Sequence, residues 1–108
     1  MQVYNKLVRD RVPEIIRNSG KIPVTKKLSE QEYLLQLREK SKEEMQEYLN
    51  ARTDQEALEE LADLLEIIHT LAPVHGSTFE EVESLRRKKE KERGGFRGRI
   101  LLIEVQDE

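Results

Sequence analysis

Two hydroxyl-capped helix starts constrain this chain more than any other feature. Ser29 is followed three residues later by Glu32, and Thr53 by Glu56. At that spacing a hydroxyl and a carboxylate satisfy each other's free backbone N–H groups and open a helix. The first long helix is predicted from about Ser29 to Ala51, and the second from Thr53 through Leu71 and Ala72, with only "ARTDQE" between them. Two long helices with so short a joint are expected to fold back as an antiparallel hairpin. Pro73 should kink or end the second helix, and Gly76 should close it. A short helix is predicted over "PEIIRNSG", and a heavily charged one from Thr78 to about Arg93, halting at Gly94 and Gly95. The fold class is therefore an all-α helical bundle built on the hairpin. "KIPVTKKL" alternates loosely and "RILLIEV" is apolar and β-branched, so a short two-stranded β element from residues 23–28 and 99–105 is expected beside it.

Composition agrees. With 108 residues there is room for one domain, residues 1–108, whose modest core dimerisation would enlarge. Charged residues make up 38% and aromatics only 5%, which suits charged helices better than strands. The absence of cysteine excludes disulfides and thiolate metal sites and points to a reducing cytoplasm. "MQVYNKLVRDR" lacks the apolar run of a signal peptide, and no stretch approaches the roughly 20 apolar residues of a membrane span, so a soluble protein without a membrane partner is expected. A net charge of -3 argues against a nucleic-acid polymer as partner, although eight of the 19 basic residues crowd between Arg86 and Arg99.

The acidic residues of the two long helices fall in odd places. Turning each residue through about 100°, the first has a narrow apolar stripe of Leu34, Leu37, Ser41, Met45, Tyr48 and Leu49. Glu44 lies roughly 70° and Glu47 roughly 130° from that stripe on one side, while Glu43 is nearly opposite. The second helix is apolar over half its circumference, through Leu58, Leu61, Leu65, Ile68 and Ala72 among others, and is expected to be buried on most sides. Glu60 and Asp63 flank Ile67, close to that arc. An ionised acid buried without a partner shifts its pKa or costs several kcal/mol. If the hairpin sets Glu44 and Glu47 opposite Glu60 and Asp63, four carboxylates crowd together, and divalent cations would relieve them. All-oxygen ligation suits Mg2+, with Mn2+ as the alternative, both of which bridge to substrate phosphates. The plainer alternative is a solvated face on which Glu44 or Glu47 pairs with Lys40 and Arg52.

A metal-carboxylate pocket calls for a polyanion, and "RRKKEKERGGFRGRI" offers Lys88, Lys89 and Arg93 for phosphate oxygens, beside glycines that let backbone approach. The competing reading of that block is a solvated helix face with internal ion pairs. Phe96 reads as a core plug beside the glycine turn. His69 lies on the apolar arc as a core or interface histidine, and His75 sits at a helix end that welcomes a cation; neither is assigned to metal or base chemistry.

Taken together, "YNKLVRDRVPEII", the paired strings Glu43-Glu44-x-x-Glu47 and Glu60-x-x-Asp63, and "RGGF" before a short tail resemble the MazG-like all-α nucleoside triphosphate pyrophosphohydrolases. The nearest branch is the small single-domain one labelled phosphoribosyl-ATP pyrophosphohydrolase-like, and the likeness spans nearly the whole chain. The resemblance implies a homodimer or dimer of dimers that cleaves between the α and β phosphates of a nucleoside triphosphate, releasing the monophosphate and pyrophosphate with magnesium. It also implies that Glu44, Glu47, Glu60 and Asp63 are metal ligands and catalytic groups, with Glu43 outside them at most in support. Lys88, Lys89 and Arg93 would handle phosphates, and Asn5, Lys6, Arg9 and Asp10 lie in a segment with a looser link to the ligand. The substrate reading is a house-cleaning one. The alternatives are the phosphoribosyl-ATP pyrophosphohydrolase of histidine biosynthesis and a non-catalytic helical module that binds nucleotides or a partner protein.

Overall fold

Each of the three longer helices starts on a side-chain cap. Ser29 Oγ accepts from the Glu32 N–H at 3.2 Å while the Glu32 carboxylate accepts from the Ser29 N–H at 3.1 Å. Thr53 Oγ1 accepts from the Glu56 N–H at 3.1 Å, and Thr78 Oγ1 from the Glu81 N–H at 3.2 Å. Such a cap stabilises a helix by about 1 kcal/mol, because it satisfies a donor with no partner inside the helix. The computed structural model describes residues 2–107, in which the helices are α1 (Val12–Asn18), α2 (Glu30–Leu49), α3 (Asp54–Val74) and α4 (Phe79–Arg93). At the head of α3 the Glu56 carboxylate turns to the Arg52 N–H at 2.9 Å instead of completing the reciprocal pair. That bond draws in the four-residue joint between α2 and α3.

Pro73 lies in the last turn of α3, which runs on to Val74. Proline at this position removes one backbone bond, and the helix ends one residue after it. The His75 N–H reaches the Leu71 and Ala72 carbonyls, and Gly76 turns the chain at φ +77°, a left-handed conformation that suits glycine.

Among the described residues there is no strand, so the β element expected from residues 23–28 and 99–105 is not formed. A two-stranded ribbon with no third layer to cover it is marginal in water, and Pro23 withdraws one ladder donor. Ile22, Val24 and the run from Ile100 to Ile103 are exposed. Phe96, expected as a core plug, is 99% exposed because α4 ends before it and no element returns to cover it.

α2 packs on α3, and α4 packs on α3 but not on α2. Among the described residues the buried apolar side chains are Leu37, Ile67 and Ala72. The expectation that α3 is covered on most sides fails. Ile67 is 7% exposed but Leu65 is 48% exposed, and Leu58, Leu61 and Ile68 stand open with it. α2 covers one flank of α3 and cannot reach the next. On α2, Met45, Tyr48 and Leu49 are exposed likewise, although the periodicity had placed them in the core. The radius of gyration is 18.7 Å, against about 13 Å for a compact chain of this length. Accessible surface is 10424 Å², against about 6,200 Å² expected for a compact monomer of this mass. No helix among the described residues is long and apolar enough to cross a membrane.

Candidate metal centre

The inward faces of α2 and α3 are marked by Leu37 and Ile67, the buried apolar residue of each helix nearest the acidic strings. Glu44 lies seven residues after Leu37, and Glu60 seven before Ile67. A step of seven is close to two full turns, so each carboxylate shares its helix's inward face with that apolar residue. Glu47 and Asp63 follow at three residues, one turn further along the same flank.

The carboxylates therefore converge. Glu44, Glu60 and Asp63 each offer an oxygen within 4.8 Å of the others, and Glu43, Glu44 and Glu47 form a second such group, so Glu44 belongs to both. It is only 5% exposed. Its Oε2 and the Oε2 of Glu60 are buried with no hydrogen-bond partner among the described residues. Burial pushes the Glu44 carboxyl up to about 8, and the neighbouring Glu60 and Glu47 carboxyls push it the same way. Glu47 is raised too, chiefly by its contact with Glu60. Adjacent carboxylates resist being charged together, and a cation between them would relieve that repulsion.

Three cations stand at the rim. Lys40 Nζ lies 3.8 Å from Glu44 and 3.9 Å from Glu43, Lys6 Nζ lies 3.1 Å from Glu43, and Arg9 Nη2 donates to Asp63 Oδ1 at 2.7 Å. The amino-terminal segment is thus drawn across the acidic face by Lys6 and Arg9. Asp63 returns the favour by raising the Arg9 pKa above its usual value.

Donor chemistry tests whether a metal fits. All candidate ligands are carboxylate oxygens from two rigid helices, two of them buried and without partners, which is the donor set a hard divalent cation takes. Glu44, Glu47, Glu60 and Asp63 could hold such an ion, with Glu44 shared.

Of the four acidic residues singled out in the sequence, Glu44, Glu60 and Asp63 lie in one group and Glu47 joins Glu44 in the other, while several further residues lie elsewhere than expected. Glu43 was expected to point away, yet the amino-terminal segment folds over its side of α2 and half-buries it beside Glu44 and Glu47. Lys6 and Arg9 pair with the cluster's own carboxylates. Lys88, Lys89 and Arg93 are exposed on α4, which does not touch α2, and they make no ion pair among the described residues. Within that block Arg86 and Arg87 fold back on Glu83, whose carboxyl they hold down near 2. His69 is exposed and stacks on Phe79 at a ring separation of 3.6 Å, which pins the start of α4 to α3. The lysine at 40 was foreseeable from its i,i+4 spacing to Glu44. The ion pair of Arg9 with Asp63, 54 residues apart, carries no local signal.

Comparison with known proteins adds little. No family model matches the chain, and no solved structure matches it. It is 50% identical over 54 residues to an uncharacterized protein of Mycolicibacterium smegmatis, an overlap that covers 50% of this chain and 55% of that protein. The chain thus spans about half the length of the curated relative it matches.

Proposed function

We propose that the chain is a metal-dependent nucleotide pyrophosphohydrolase of the MazG-like kind, cleaving the α–β phosphoanhydride of a nucleoside triphosphate. The observation that carries this reading is the convergence of buried, partnerless oxygens of Glu44 and Glu60 from two helices, with Asp63 and Glu47 beside them. Lys40, Lys6 and Arg9 pair with Glu44, Glu43 and Asp63 at the rim, and the inner oxygens of Glu44 and Glu60 are left for a cation to satisfy.

A bound Mg2+ or Mn2+ would neutralise phosphate charge and ease deprotonation of an attacking water. Glu44, Glu60 and Asp63 hold oxygens at one locus and would hold the ion there. Glu47, exposed at the edge and raised in pKa by Glu60, is placed to orient a water or take its proton. Lys6 and Arg9, already at the rim, can turn from carboxylate to phosphate without moving their segment.

α2 and α3 are read as an antiparallel hairpin that meets a second copy. Leu58, Leu61, Leu65 and Ile68 repeat at alternating steps of three and four, the spacing of a helix-helix seam, and all are exposed. The accessible surface exceeds that of a compact monomer, so apolar surface is open for a partner to cover. A second copy is also the means by which Lys88, Lys89 and Arg93 would reach the acidic cluster.

The test is pyrophosphate release across a nucleotide panel that includes phosphoribosyl-ATP, with and without magnesium. Glu60→Gln should abolish metal-dependent release while leaving helical circular dichroism intact. Full activity in that variant removes Glu60 from the chemistry, and no release from any nucleotide by the wild type points to a binding module.

A further inference from the structure

The open stripe of α3 and the tail beyond α4 are opposite in charge and alike in being uncovered. From Phe96 onward the chain runs clear of the helices. Ile100, Leu101, Leu102 and Ile103 are each at least 74% exposed, and no hydrogen bond or ion pair among the described residues ties residues 96–107 to a helix. We propose that the tail of one copy seats along the α3 stripe of a second copy, and that the exchange is reciprocal. The proposal rests on the second-copy reading and deepens it, naming the segment that the copy contributes, and it stands apart from the pyrophosphohydrolase chemistry.

Three observations support it. The first is charge. α3 carries six acidic side chains and no lysine or arginine, whereas the segment from Arg86 to Arg99 that leads into the tail holds eight basic ones. Arg97 and Arg99 adjoin the apolar run and make no ion pair among the described residues. Glu59 and Glu66 are exposed and each follows a leucine of the stripe by one residue, about 100° round the helix, so they border it. Opposite charges steer two such surfaces together and fix their register, whereas two α3 stripes alone would set acidic borders against each other. The second is length. In extended backbone Ile100 to Val105 spans about 17 Å, and Leu58 to Ile68 spans about 15 Å along α3. The third is pattern. An extended chain turns alternate side chains to opposite faces, and here both faces are apolar, Ile100 with Leu102 and Leu101 with Ile103. Such a run suits a segment enclosed on both sides. Between two copies, one face meets the partner's stripe and the other the apolar surface of the chain that supplies the tail. Within one chain no such enclosure forms, and both surfaces stay open.

Charge exchange tests this. One variant carries Arg97→Glu with Arg99→Glu, the other Glu59→Lys with Glu66→Lys. All four side chains are exposed and none is a candidate metal ligand, and circular dichroism checks that both variants keep their helices. In sedimentation equilibrium each variant alone should self-associate at least about tenfold more weakly than the wild type, because its tail and its stripe border now carry the same sign. An equimolar mixture should recover the wild-type affinity to within about threefold, as a heterodimer, since each tail then faces a border of opposite sign. A tail variant that associates as tightly as the wild type overturns the proposal. So does a mixture that gains nothing, the result expected if the tail closes on its own chain. A wild type that stays monomeric overturns it together with the second copy. Pyrophosphate release by the wild type is read separately, so absence of that activity leaves this result standing, and failure here leaves that activity untouched.

Discussion

α3 carries two neighbouring stripes that behave in opposite ways. One bears Glu60, Asp63 and Ile67 and is covered by α2; the other bears Leu58, Leu61, Leu65 and Ile68 and is open to water. Hydropathy alone would exchange them. The comparison teaches that a side chain is buried by the presence of a neighbour and not by its own preference. The carboxylate stripe accepts a cost within the chain that a cation can remove, and the leucine stripe accepts a cost that a second chain can remove. On the proposed function, the first stripe would be relieved by a metal and the second by a copy of the same surface.

The largest expected effect breaks the first stripe. Glu44→Gln should lower metal-dependent turnover at least about 100-fold, yet raise the melting temperature of the metal-free protein at pH 8, because a neutral amide replaces a group that resists ionisation there. A variant that loses both activity and stability would mean that Glu44 supports the fold through its carboxylate. Next, Leu61→Asp combined with Leu65→Asp attacks the second stripe. Light scattering should move from an assembly to a single chain, and the concentration dependence of the wild-type melting temperature should vanish. A wild type that is monomeric at every concentration breaks the reading of that stripe.

A pH series separates the two stripes without mutation. The Glu44 carboxyl is raised from an ordinary 4.5 to about 8 in the folded protein. Below the ordinary range both folded and unfolded chains hold the proton; between the two values only the folded chain does. Stability is therefore full at the acid end and lost as pH rises through about 8. Scanning calorimetry in chelator should record a fall on the order of 5 °C between pH 5 and pH 8, which saturating magnesium flattens. A melting temperature that climbs with pH in chelator contradicts the burial of Glu44.

Smaller effects sharpen the picture. Thr53→Ala removes the cap that starts α3 and should cost about 1 kcal/mol in urea unfolding, weakening both stripes together since they share one helix. Arg9→Ala breaks a half-exposed pair with Asp63 and should cost less than about 1 kcal/mol. A greater loss would show that the amino-terminal segment seals the acidic face.

Much of the fold was legible in the residues. The hydroxyl-to-glutamate spacing at Ser29 and Thr53 depends on atoms three positions apart, so these starts were readable locally, and the helix ends at Gly76 and Gly94 followed from glycine's freedom at positive φ. That Glu44 and Glu60 come close across the two helices was legible because helical rotation set them beside apolar stripes. The tail was misread for a related reason: β-branched residues at 99–105 favour extension, but a strand needs a partner that local preference does not supply.

By itself, then, the order of residues determined where helices begin, how they rotate and which carboxylates can share a locus, since each is a matter of neighbours within one or two turns. Only the tertiary structure decided that Ile67 is inside and Leu65 outside, that Glu43 joins the cluster and that Arg9 lies against Asp63. Those outcomes depend on which surfaces meet, and contacts spanning tens of residues are set by the packing of whole helices, which no short-range pattern encodes.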